Sequence, residues 1–260
     1  MHERIDILGV RVSAVNLGLA CAEIEGWVKA RRKAYVCVAP VSTIVECNRD
    51  SAYRDIVNAA DMVTPDGMPV VWLAKAKGCP HVGRAYGPDL MRALCGRSGL
   101  RHYFFGGTSQ AIGHLEQCLK KELSGINIVG MVSPPFRPTA QMEDQKVIAA
   151  INQSMPDILW VGLGSPKQDF WMRLHRDCLD VPVMVGVGAA FDFLAGLKPQ
   201  APRWMQRRGL EWLFRLICEP RRLWKRYLIG NSLFLFYLIK EFWGPPNSGD
   251  TYKNRTCPRN

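Results

Sequence analysis

Short apolar runs alternate along the chain with longer stretches in which apolar positions recur at helical spacing. The runs Tyr35–Ala39, Met62–Thr64, Arg101–Phe105, Ile126–Val132, Ile158–Gly162 and Val183–Val187 read as strands, apolar on both faces. Between them, a stretch capped by Ser13 and running to about Lys29 reads as a helix. So do Ser42–Ala60, Pro88–Cys95, Ser109–Leu123, Thr139–Gln153 and Pro166–Cys178. Two-sided apolar strands separated by helices predict an α/β fold: a Rossmann-like, mostly parallel sheet with helices on both faces. This pattern holds over 1–198.

The pattern then changes. Arg203–Arg226 carries Arg203, Arg207, Arg208, Arg215, Arg221, Arg222, Lys225 and Arg226 against only Glu211 and Glu219, interleaved with Trp204, Trp212, Phe214 and Trp224. Tyr227–Ile239 follows, apolar apart from Gly230, Asn231 and Ser232, and shorter than the roughly 20 residues a membrane-spanning helix needs. Residues 199–243 are therefore expected to form a basic amphipathic helical appendage, lying at an interface or docked on the core. Residues 244–260, rich in Pro, Gly, Asn and charge, are expected to form a disordered tail.

Composition narrows the function classes. A chain of 260 residues with 48% hydrophobic content can bury a full core, which excludes wholesale disorder. The net charge of +11 calls for an anionic partner: nucleic acid, a phosphorylated ligand or an anionic membrane surface. The nine cysteines are odd in number, form no Cys-x-x-Cys pair and often sit in apolar runs, so they read as small buried hydrophobes in a reducing compartment. The N-terminus holds acids and no apolar run of signal length, which suits a cytoplasmic protein. The five histidines are scattered and no Asp-x-Asp follows a strand, so no metal or cofactor is expected. Fixed positive charge would then have to neutralise a leaving diphosphate.

In a parallel sheet, ligands gather beyond the carboxyl ends of the strands. After the second strand lies Asp66-Gly67, a binding or catalytic carboxylate or else an ordinary Asp-Gly turn. After the third lies Gly106-Gly107-Thr108-Ser109, after the fifth Gly162-Leu163-Gly164-Ser165-Pro166-Lys167, and after the sixth Gly186-Val187-Gly188 leading to Asp192. None completes a dinucleotide fingerprint or a P-loop. Three glycine-rich turns together suit a nucleoside diphosphate, with Gly106, Gly107, Thr108, Gly162, Gly164 and Lys167 as contacts. Arg84 is a further candidate for the anion, or a solvated loop side chain.

Taken in order, Thr64-Pro65-Asp66-Gly67-Met68-Pro69-Val70, Gly83-Arg84 with Gly87-Pro88-Asp89-Leu90, Phe105-Gly106-Gly107-Thr108, Gly162–Gln168, Gly188-Ala189-Ala190-Phe191-Asp192 and Gly209-Leu210-Glu211-Trp212 with its arginine run resemble the WecG/TagA/CpsF family of bacterial glycosyltransferases. The resemblance extends from about Ile5 to Trp243. It implies inverting transfer from a UDP-sugar donor to a polyprenyl-diphosphate-linked saccharide acceptor, at the inner face of the plasma membrane. It makes Asp66 the general base, Arg84 and Gln168 diphosphate and sugar contacts, and Asp192 a carboxylate of the nucleotide pocket. The appendage, with Arg215, Arg221 and Arg222, would contact the membrane or the diphosphate. One segment departs from the family. Where Thr-x-Asn is usual, Ala39-Pro40-Val41-Ser42-Thr43 stands here, leaving Thr43 as the substitute hydroxyl and the transferred sugar open between a hexose and an N-acetylhexosamine.

Two rivals use the same residues. An NAD-dependent oxidoreductase would share the glycine turns but lacks a hydride-site His, Cys or Tyr-x-x-x-Lys. A nucleic-acid-binding protein would use the arginine–aromatic interleaving, but the charge abuts an apolar run, which suits a membrane surface better; no nucleic acid is expected. The aromatic appendage would need covering away from a membrane, which favours a homo-oligomer.

Overall fold

The computed structural model describes residues 2–134 and 145–243. Six parallel strands form one sheet: β3 (Ala34–Ala39), β4 (Met62–Pro65), β5 (Arg101–Gly106), β6 (Asn127–Val132), β7 (Ile158–Gly162) and β8 (Val183–Gly186), in the order β4-β3-β8-β7-β5-β6. The expected strands are all present, each within a residue or so of its expected ends. An antiparallel hairpin of β1 (Arg4–Ile7) and β2 (Val10–Ser13) precedes them and was not anticipated. Its signal is the alternation of Ile5, Ile7, Val10 and Val12 with charged neighbours around Leu8-Gly9, both of which turn at positive φ.

Successive residues of a strand face opposite sides, and both sides are covered. Tyr35, Cys37, Phe105, Leu159, Val161 and Met184 pack with the hairpin and with α2 (Val41–Arg49), α3 (Ser51–Ala59), α4 (Met68–Ala76), α7 (Gln145–Ser154) and α8 (Lys167–His175). Val36, Phe104, Ile158, Trp160, Val183 and Val185 pack with α1 (Leu17–Lys29), α5 (Gly87–Cys95), α6 (Ser109–Glu122) and α9 (Ala190–Leu194). The result is the three-layer α/β arrangement expected from the two-sided apolar strands.

Helix starts follow local hydrogen-bond supply, and here two expectations need correction. Ser13 does not cap α1; it ends β2, and its hydroxyl accepts from Val63 N at 3.0 Å, tying the hairpin to β4. Asn16 caps α1 instead, accepting from Leu19 N at 3.0 Å. The stretch Ser42–Ala60 is two helices, because Asp50 leaves helical geometry (φ −129°, ψ 106°) to cap α3 through Tyr53 N. Thr108 caps α6 through Ala111 N. Residues 139–144 of the expected Thr139–Gln153 helix lie outside the described residues, as do 244–260 with Cys257.

Beyond Lys198 the chain forms α10 (Arg203–Arg207), α11 (Glu211–Cys218) and α12 (Pro220–Trp224). A π-helical segment, Lys225–Ile229, joins α12 to α13 (Gly230–Trp243), with right-handed backbone at Trp224, Lys225 and Gly230. One side of α13 docks on the body: Phe234 is buried, and Leu233, Tyr237 and Leu238 pack on the core. The other side leaves Leu235, Phe236, Ile239, Phe242 and Trp243 exposed. No helix among the described residues is long and apolar enough to cross a membrane.

Candidate active site

The β4 corner brings polar groups together. Pro65 ends β4 in register with Ala39 of β3. Asp66 N then bonds to Ala39 O at 3.3 Å, and Gly67 turns at φ +100° into α4. Asp66 thus stands at the carboxyl end of β4, between the strand and α4, and lines a cavity there. Arg84 reaches the same point from the loop before α5, which is pinned by Ala85 N to Pro65 O at 2.9 Å and Gly83 N to Val15 O at 3.2 Å.

Arg84 is held on every side. Its Nε lies 3.4 Å from Asp66 Oδ1, its Nη1 donates to Gln206 Oε1 at 3.1 Å, and its Nη2 donates to Glu211 Oε2. The guanidinium stacks 3.9 Å from the Tyr86 ring centre. Gln206 and Glu211 come from the appendage, which closes over the corner to leave a cavity of about 360 Å³. Its floor is Pro40–Ser42 and Asp66–Pro69; its roof is Glu211, Trp212, Arg215, Arg226, Tyr227, Asn231 and Phe234. Gly209 makes the closure fit: it turns at φ +71°, and a Cβ there would lie 2.9 Å from the Trp72 ring.

Electrostatics set the corner apart. Burial pushes the Asp66 carboxyl up to about 6; Arg84 opposes this and the Glu211 carboxylate reinforces it. Burial alone would pull Arg84 down, but Asp66 and Glu211 more than offset it and hold it above its ordinary value. A carboxylate of raised basicity beside several guanidiniums can accept a proton while anionic charge is held nearby.

A second groove, of about 500 Å³, lies across a bridge from Arg226 Nη2 to Ser42 Oγ at 2.8 Å. Thr43 lines it with Ser165, Arg49 and Lys225; its buried hydroxyl has no hydrogen-bond partner among the described residues. Thr43 is thus near the site but on the far side of Ser42.

The remaining expected residues spread along the strand ends. Gly106 stands four strands from β4, which at about 4.8 Å per strand places it roughly 19 Å away. The β5 chain leaves toward β6 and the β7 chain toward β8, so their turns diverge as at a ligand-binding crevice. Gly107 N donates to Gly162 O at 3.0 Å. A Cβ on Gly106 would lie 2.5 Å from the Gly162 carbonyl carbon, and one on Gly162 would lie 2.8 Å from the Phe191 ring. Packing alone therefore accounts for both glycines. Gly164 turns at φ +79°, and its N–H donates to Gln168 Oε1 at 3.2 Å. Gln168 is buried beneath Gly186 and Gly188, and its amide donates to Ser165 Oγ at 3.3 Å. Lys167 opens α8 half-buried. Asp192, on α9, pairs with Lys198 at 2.7 Å.

The family model for the glycosyl transferase WecG/TagA/CpsF family matches residues 5–248. The chain belongs to this family. It is similar to the N-acetylglucosaminyldiphosphoundecaprenol N-acetyl-beta-D-mannosaminyltransferase of Bacillus spizizenii, 31% identical over 75% of each chain. The protein of the same description from Bacillus subtilis is 29% identical over 74% of each chain. This chain is accordingly a glycosyltransferase.

Four residues of the candidate site were not singled out as site residues from the sequence. Gln206, Glu211, Arg226 and Tyr86 meet Arg84 or line the cavity, although the first three are more than 120 positions from Arg84. Of the three appendage arginines singled out from the sequence, Arg215 lines the cavity and stacks 5.2 Å from Phe193, Arg222 pairs with Glu219, and Arg221 is exposed. Among the described residues, no cluster of three or more His, Cys, Asp or Glu could hold a metal ion.

Proposed function

We propose that the enzyme transfers a hexose or N-acetylhexosamine from a UDP-sugar to a polyprenyl-diphosphate-linked saccharide, inverting the anomeric carbon, in cell-surface polysaccharide synthesis. The acceptor class rests on the relatives' names, which specify an N-acetylglucosaminyl-diphosphoundecaprenol acceptor. The single observation that carries the mechanism is the half-buried Asp66 carboxyl at the strand end, beside Arg84 and lining a cavity roofed by Arg215 and Arg226.

In this reading the acceptor hydroxyl attacks C1 of the donor sugar from the face opposite UDP. Its oxygen forms the new bond to C1 while its proton passes to an Asp66 oxygen. The C1–O bond to the diphosphate breaks, and UDP leaves with the electron pair. General-base help of this kind is worth ~10²–10⁴-fold. Arg84 and Arg215 stabilise charge developing on the leaving group without needing to reorganise. Gln168 holds the Gly164–Ser165 turn on which a diphosphate would rest, and Asp192 faces the nucleotide. The transfer proceeds through these fixed charges without a metal.

Residues 199–243 act with the α/β body as a membrane-contacting appendage that completes the site, on the cytoplasmic face. Each Lys or Arg near an anionic bilayer contributes ~1 kcal/mol, and the exposed row from Leu235 to Trp243 supplies apolar anchors. Away from a membrane the same row favours self-association. Calorimetric titration with UDP, with and without magnesium and with and without anionic liposomes, tests the donor class. Micromolar, magnesium-independent binding supports it; absence of binding under all four conditions removes it.

A further inference from the structure

Arg84 is shared unequally. Its Nη2 is in close contact with Glu211, whereas its Nε stands 3.4 Å from Asp66. All three side chains are about equally enclosed, at 14% exposure for Arg84 and 15% for each carboxylate. Two carboxylates compete for one guanidinium in a poorly solvated corner, with Arg215 and Arg226 lining the same cavity. Such an arrangement costs stability unless something is gained from it. The partition is built by the appendage. Glu211 is the first residue of α11, set over the corner by the Gly209 turn against Trp72 and Met68. Gln206 fixes the opposite side of the same guanidinium and is itself anchored to Ala201 O at 2.7 Å.

We infer that Glu211 is a positioning residue: by drawing Arg84 away from Asp66, it keeps Asp66 a free proton acceptor and makes base strength depend on docking of the appendage. This inference rests on Asp66 being the general base. With α11 displaced, Arg84 would close on Asp66 as a simple ion pair, and the base would be weakened. The other charged or titratable groups facing Asp66 are Arg215 from α11, Arg226 and Tyr227 from the π-helical segment, and Tyr86 beside Arg84. The two cations among them, like Arg84, favour the ionised carboxylate, so Glu211 is the group of opposite effect at this corner. The raised value of Asp66, to which the Glu211 carboxylate contributes, agrees with the geometry.

The sign is fixed. A base works in its deprotonated form, so turnover climbs with pH through the Asp66 pKa. Removing the Glu211 charge frees Arg84 for Asp66 and lowers that pKa. The test is the full-length enzyme as wild type, Glu211→Gln and Glu211→Asp, read in two ways: the pH profile of kcat, and the titration of Asp66 by carboxyl-labelled NMR with Asp66→Asn as the assignment control. Glu211→Gln is expected to move both midpoints from near 6 to lower pH, with a lower kcat plateau and little change in KM for the donor. Glu211→Asp is expected to restore most of the shift. An Asp66 titration unmoved in Glu211→Gln overturns the inference, even if activity falls. An active Asp66→Asn removes the base reading instead, while the NMR arm still decides whether Glu211 governs that carboxyl. If Glu211→Gln loses its folded baseline, Gly209→Ala displaces α11 with every charge intact; it must lower the Asp66 midpoint, and failure to do so overturns the inference.

Discussion

Two stretches of the sheet's carboxyl edge obey different rules. At the β5–β7 turns, Gly106 and Gly162 are required because the strand ends and the Phe191 ring leave no room for a Cβ. At the β4 corner, nothing in the packing requires Asp66, Arg84 and Glu211 to meet; an apolar trio of similar volume would serve the fold as well or better. The difference separates residues kept by geometry from residues kept by chemistry. A glycine at a strand end is therefore weaker evidence for a ligand than a desolvated charge there.

The sharpest way to break this contrast is Asp66→Asn. Turnover is expected to fall by ~10²–10⁴-fold, while the melting temperature at pH 8 stays level or rises. The sign follows because a carboxyl raised above its ordinary value costs stability when ionised. A steady-state assay beside scanning calorimetry checks both halves; a large loss of stability would make Asp66 a structural residue after all. At the glycine turns the opposite outcome is expected. Gly162→Ala should cost ~1–3 kcal/mol in urea unfolding through overpacking against Phe191. Gly106→Ala, at φ +129° and against backbone that cannot yield, should cost more.

A smaller effect lies in pH. Asp66 and the buried Asp169, which accepts from Tyr53 Oη at 2.7 Å, are both raised to about 6 by burial. Their stabilising contribution is complete below the unfolded carboxyl range near 4 and is lost as pH rises through 6. Melting temperature should therefore decline between about pH 4 and pH 7 on their account, and Asp169→Asn should flatten part of that decline. A profile that is equally steep in the variant would contradict the assignment. The smallest stability effect is expected at the outer row: Phe242→Ser with Trp243→Ser should change stability by no more than ~0.5 kcal/mol. The same pair should weaken binding to anionic liposomes in a flotation assay, and unchanged flotation would take the membrane role away from this row.

Most of the architecture was legible in order and period. Strands buried on both faces carry continuous apolar runs, so β3, β5, β7 and β8 declared themselves, and helical spacing located most of the helices between them. The hairpin was missed, although Ile5, Ile7, Val10 and Val12 alternate with polar neighbours, because each arm is only four residues long. The helix breaks were also less legible: Asp50 and Asn16 act as caps only once the backbone departs from helix, and a propensity reading does not reveal which polar residue takes that role. In the site, Asp66 and Arg84 were visible because each follows a strand or a glycine turn within a recognisable motif.

The partners of Asp66 and Arg84 were not visible, for a physical reason. Local sequence reports the energetics of neighbours along the chain, whereas Glu211, Gln206 and Arg226 reach Arg84 and the cavity only by the folding of the appendage onto the body. The sequence by itself determined the layers, the strand-end loci of the chemistry and the family. Tertiary structure decided which charges share one guanidinium, because Gln206 and Glu211 reach Arg84 only when the appendage folds onto the body.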